Sequence, residues 1–175
     1  MTFFDGKFPF RQPDYPYHLD YATFENWLLM HKDTLKHISI GDISQHSDRR
    51  SFNATLFPHL EYLKLSRWQM HGARVEFRTE DADLIGPRLK TFCWDFTGDF
   101  GNAYVWWEFG KAEALWLEKF AKEAIARKAV LQTFEILFDP DRCSTVDAVW
   151  PWDLMDDLRE RVFRPNAMDF VYATQ

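Results

Sequence analysis

Cys93 is the side chain whose chemistry would matter most if this chain were a catalyst, because Asp95 follows two residues later and His37 stands in a similar segment upstream. A nucleophilic thiol needs a base within hydrogen-bond reach. The segments holding His37 and Cys93 are expected to be strands two spacings apart, roughly 10 Å, which is too far. The other candidates are weaker. Histidines at 18, 31, 37, 46, 59 and 71 form neither H-E-x-x-H nor a His/Cys cluster at zinc spacing. His31 falls on the apolar face of a predicted helix and reads as a packing residue. Asp139-x-Asp141 resembles the start of a calcium loop but lacks its central Gly and bidentate Glu. No G-x-S-x-G, P-loop or G-x-G-x-x-G occurs. The expectation is a protein without catalytic activity, cofactor or metal. The rival reading is a small-ligand site or enzyme pocket built on the aromatic run at Tyr104, Trp106 and Trp107.

Charge and composition narrow the partners. A net charge of -6 argues against nucleic acid. The basic and aromatic strip at Arg67, Trp68, His71, Arg74 and Arg78 is interrupted by Glu76, Glu80 and Asp81, so it reads as a solvated face of mixed charge. Cys93 and Cys143 show no C-x-x-C spacing, which fits a reducing compartment, cytoplasm or nucleus. No stretch approaches 18 apolar residues and no signal region is visible, so no membrane partner is expected.

These residues must be positioned by a recurring hexapeptide. Its copies are Leu35–Ile40, Leu60–Leu65, Leu89–Trp94, Leu131–Ile136 and, more loosely, Ala167–Tyr172. Each has a small or aliphatic residue first and large apolar residues fourth and sixth. Apolar residues two apart share one face of a strand. The five words therefore predict short strands near 35–40, 60–65, 89–94, 131–136 and 167–172. Between them fall helical signals. Phe24, Trp27, Leu28 and His31 lie at helical spacing. A longer stripe, Trp116, Leu117, Phe120, Ala121, Ala124 and Ile125, marks a helix over about 112–128. Leu154, Met155, Leu158 and Val162 mark another. Ala82–Ile85 predicts a helical turn, and the alternation of Val75 to Arg78 predicts an additional short strand. Residues 1–19, rich in aromatics and Pro, are expected to form an extended arm over the first repeat.

Units of 25 to 42 residues with one strand each predict an α/β fold: an irregular leucine-rich-repeat-like solenoid over residues 1–175, with a mostly parallel sheet and helices on the opposite face. The L-x-x-L-x-L pattern is present. The following Asn/Cys position is not matched, so no Asn ladder is expected.

Trp27 to Gly41, Phe57 to Leu65 and Gly86 to Phe96 resemble the helix-plus-strand units of fungal F-box leucine-rich-repeat proteins. The resemblance covers about residues 20–96 and is looser beyond. It implies protein recognition by the repeats, with substrate selection for a ubiquitin ligase as the wider role. The F-box that binds the ligase adaptor is not matched. The expected protein-binding surface is the outward sheet face: His37 and Ser39; Tyr62, Lys64 and Ser66; Thr91, Cys93 and Asp95; Thr133 and Glu135; Asp169. Self-association through the last strand is a further expectation.

Overall fold

The computed structural model describes residues 21–41, 52–67, 75–97, 109–138 and 151–174. The elements run α1 (Tyr21–Leu29), β1 (His37–Ile40), β2 (Tyr62–Ser66), β3 (Thr91–Asp95), α2 (Lys111–Ala126), β4 (Thr133–Phe138), α3 (Trp152–Leu158) and β5 (Asp169–Thr174). Short 3-10 turns at Ala54–Leu56 and Thr79–Leu84 stand in the first two crossovers. In the last crossover α3 continues as a π turn, Arg159–Phe163, and a 3-10 turn, Arg164–Asn166.

All five strands are parallel and lie in sequence order. The third residues of the five words, His37, Tyr62, Thr91, Thr133 and Asp169, line up across the sheet. Each strand begins two residues later than the word predicts. The leading Leu35, Leu60, Leu89 and Leu131 are buried just before the strand. The residue after each leucine is the hinge of the register. The carbonyl of Lys36 accepts from the N–H groups of both Glu61 and Tyr62, that of Glu61 from Lys90 and Thr91, and that of Lys90 from Gln132 and Thr133. Side chains reinforce this line, with Glu61 between Lys36 at 3.8 Å and Lys90 at 2.7 Å. Lys90, with a smaller part from Lys36, holds the Glu61 carboxyl below its usual range. The fifth word departs at its first position. Ala167 takes a left-handed conformation (φ 53°) that ends the last 3-10 turn, and Met168 is buried beside it.

The fourth and sixth word residues point into one core: Ile38 and Ile40, Leu63 and Leu65, Phe92 and Trp94, Phe134 and Ile136, then Phe170. α2 lays Trp116, Leu117, Phe120, Ala121 and Ala124 on them; Ile125, expected on this stripe, is exposed. Phe92 meets Trp116 at 6.1 Å, Phe120 at 5.1 Å and Phe134 at 6.4 Å between ring centroids. Phe163 stacks on Phe170 at 4.5 Å. Rings this well buried each contribute about 2–3 kcal/mol in area removed from water. The crossover elements pack on one another in chain order: the two 3-10 turns together, the second against α2, and α2 against α3 and the π turn.

Residues 75–78 are not a strand, although they alternate. Val75 and Phe77 pack against the core from its flank, with Phe77 5.9 Å from Trp116.

Polar contacts, two of them buried and one part-buried, fasten this layer. Asp81 accepts from Trp116 Nε1 at 2.8 Å and from the Arg78 N–H at 2.9 Å, which ties the second 3-10 turn to α2. Arg67, just past β2, pairs with Glu113 at 3.1 Å, and Glu113 caps α2 by accepting from the Gly110 N–H at 2.9 Å. Arg127, past the end of α2, donates to the Ala82 carbonyl at 3.1 Å.

Candidate recognition surface

The sheet face away from the core is set by strand alternation. In β4, Phe134, Ile136 and Phe138 are buried, so Thr133, Glu135 and Leu137 point the other way and are half-buried. Register places them beside Thr91 and Cys93 on one side and Asp169 and Val171 on the other. On the outer strands His37, Asp169 and Val171 are exposed and Ser39 is half-buried.

Tyr62 is the centre of this face. Its ring meets His37 edge-on at 5.8 Å, and its hydroxyl donates to Glu135 Oε2 at 3.2 Å, two strands away. Cys93, on the strand between them, is aligned with Lys64 and Glu135. A short side chain on the central strand, with longer ones on both sides and a tyrosine reaching across, has no access to water: Cys93 is 0% exposed. Its outward direction was legible in the hexapeptide. Its availability to a partner was not, and the surface expected there is Tyr62 and Glu135 instead. Burial pushes the thiol up to about 12; a bond with the Tyr62 hydroxyl opposes this, and the Asp95 and Glu135 carboxylates add to it. Burial likewise raises the Tyr62 hydroxyl, with Cys93 and Glu135 adding to the shift. A thiol held so firmly protonated is a poor nucleophile.

Ser66 and Asp95, at the far ends of their strands, are also buried rather than displayed. Asp95 pairs with Lys64 at 3.2 Å, and its other oxygen accepts from the Thr97 N–H and hydroxyl at 2.8 and 2.6 Å, closing the turn after β3. Lys64 is thus drawn down onto the sheet. Of the residues expected on the surface, His37, Ser39, Tyr62, Lys64, Thr91, Thr133, Glu135 and Asp169 retain exposure. Leu137 and Val171 belong to the same face, and the alternation that pointed to Thr133 and Asp169 also points to them.

Tyr104, Trp106 and Trp107, the rival aromatic pocket, lie outside the described residues, as do the arm 1–19, Cys143 and Asp139-x-Asp141. Among the described residues no group of three or more His, Cys, Asp or Glu is placed to hold a metal ion. Among them, too, no helix is long and apolar enough to cross a membrane.

Compared with protein-family profiles, with curated proteins and with solved structures, the chain matches none.

Proposed function

We propose that this chain is an irregular leucine-rich-repeat-like solenoid whose polar sheet face recognises a protein partner. The observation behind this reading is the one-sidedness of the sheet. Parallel sheets with helices on both faces read as continuous apolar runs. Here buried and more exposed residues alternate along β1 and β4, and the described crossover elements join one another behind the core. Repeated strand-crossover units stacked in order, each touching its neighbours, is the arrangement repeat proteins use to build extended binding surfaces.

The exposed side chains fit a partner with a polar interface. Tyr62 supplies a half-buried aromatic anchor between His37 and Glu135, while Leu137 and Val171 add apolar area toward β5. Selection of that partner for a ubiquitin ligase is the wider role that the resemblance to F-box repeat proteins implies.

The test is interface blocking. Ser39→Arg and Thr133→Arg each add bulk to the outward face without removing a core residue. Leu115→Arg does the same on exposed α2, behind the sheet. Proteins purified with the wild-type chain from its native host, identified by cross-linking mass spectrometry, should be lost in the two face variants and kept in the α2 variant. Partners retained by both face variants would exclude the sheet face. A ligase adaptor among the captured proteins would support the wider role.

A further inference from the structure

Among the described residues no strand pairs with the outer edge of β5. The Asp169 N–H bonds the Gln132 carbonyl on the β4 side. By alternation, the backbone groups of Asp169, Val171 and Ala173 face β4, and those of Phe170, Tyr172 and Thr174 point outward. The outward carbonyl of Phe170 already has a partner. Arg159, from the π turn, donates to it through Nε at 3.2 Å. Its Nη1 is held by Asp156 Oδ1 at 3.1 Å, and its guanidinium lies 4.3 Å from the centre of the Tyr172 ring. The Tyr172 hydroxyl donates to the same Asp156 oxygen. One side chain is thus pinned across the strand edge from two directions. Apart from Asp169, β5 has none of the usual protections of an edge: no Pro, no Lys, and an exposed Val171.

We propose that the outer edge of β5 is a self-pairing surface for a second copy of this chain, and that Arg159 is the guard holding it shut. The strand's own sequence argues for this occupant. Antiparallel pairing about a two-fold axis at Val171 sets Phe170 opposite Tyr172 on both sides of the axis. Val171 then meets its own copy and Asp169 meets Ala173, so no like charges face each other. The two Phe170–Tyr172 pairs are the ones whose backbone groups point outward, and they would exchange hydrogen bonds through the Phe170 carbonyl that Arg159 holds. Guard and second copy therefore compete for one acceptor. A two-fold joint also closes on itself, whereas parallel head-to-tail addition would run on into a filament. A single pair of short strands buries little area, so the dimer is weak and the guard decides whether it forms. Nothing in this proposal depends on the sheet face binding a partner.

Sedimentation equilibrium of the full chain, with Cys143→Ser throughout, tests it. Arg159→Ala should tighten dimerisation at least about tenfold over wild type, the scale of a hydrogen bond to a charged group. Asp156→Asn, which unpins Arg159 but keeps it, should shift dimerisation the same way by less. Adding Val171→Lys to Arg159→Ala sets two ammonium groups against each other at the axis and should restore the monomer. Val171→Cys should form a disulfide-linked dimer on mild oxidation, since directly opposed non-hydrogen-bonded residues bring their Cα atoms to about 4.5 Å. A cooperatively folded Arg159→Ala that dimerises no more tightly than wild type would overturn the proposal, as would a dimer indifferent to Val171→Lys. Should Arg159→Ala not fold, the decision passes to Val171→Cys. Cross-linking no faster with Asp156→Asn than without it would then overturn the proposal, and faster cross-linking would support it.

Discussion

Replacing Tyr62 with Ala should convert Cys93 from an inert, covered thiol into a reactive one. Tyr62 crosses β3 to reach Glu135 and interacts with the Cys93 thiol on the way. Removing its ring opens the only residue of the sheet's outer face that is fully sealed among those named for it. The size of the effect follows from ionisation. With the thiol near 12, about one molecule in 10⁴ carries a thiolate at pH 8; once it returns toward its ordinary range the fraction rises about 10³-fold. Labelling by a disulfide reagent at pH 8, in a Cys143→Ser background, should therefore accelerate at least about 10²-fold. Tyr62→Phe separates the two parts of the cover. It loses the hydroxyl bonds but keeps the ring, so labelling should stay within about fivefold of wild type. Thermal melts of each variant would show that the increase comes from local access and not global unfolding. Equal labelling rates for Tyr62→Ala and wild type would refute the reasoning, and equal rates for Tyr62→Phe and Tyr62→Ala would show that the hydroxyl, not the ring, makes the seal.

The same thiol gives stability a pH dependence. A group whose folded pKa is raised contributes stability that is complete below its unfolded value and is lost as pH climbs through the folded one, so the denaturant midpoint should fall between about pH 9 and 12. Cys93→Ala should make that alkaline limb shallower but not abolish it, because the Tyr62 hydroxyl, also raised by burial, loses stability above about pH 10. Glu113→Gln should cost about 3–5 kcal/mol in urea unfolding, because it removes the carboxylate charge that faces the buried Arg67 guanidinium. The double variant Arg67→Met with Glu113→Leu should recover most of that loss. Gly86→Ala should cost about 1–3 kcal/mol: a Cβ there would stand 2.9 Å from the Ala54 carbonyl oxygen, and backbone on both sides leaves little room to give. A midpoint within experimental scatter of wild type would show that the two crossover turns can separate freely.

The parallel register was legible because it is periodic. Leu63, Phe92 and Phe134 recur at the fourth word position, and the structure aligns them across β2, β3 and β4. Strand limits were less legible, since a buried leucine looks the same just before a strand as within it. Val75 to Arg78 shows why alternation alone misleads: a strand needs a neighbour with free backbone groups, and Phe77 instead lies against Trp116. The contacts fastening the helical layer left no pattern at all. Arg67 and Glu113 are 46 residues apart, and Asp81 and Trp116 are 35 apart. Each was visible only as an ordinary charged or aromatic residue, and two of them, Arg67 and Asp81, stood inside a strip read as solvated although both are buried. Cys93 shows the remaining limit. Alternation tells which way a side chain points, and only the sizes of its neighbours on adjoining strands tell whether it reaches water.

The doubled hydrogen bonds at Lys36, Glu61 and Lys90 have a consequence for how such a chain can change. Alignment is pegged where β2, β3 and β4 start, so the length of the connecting segment before each does not enter into it. Doubling a flexible connection costs only about 0.6 kcal/mol in closure entropy. The segments between words are therefore free to lengthen, shorten or be exchanged while the peg residues hold the pattern. The sheet behaves as a fixed frame into which new connecting sequence can be grafted.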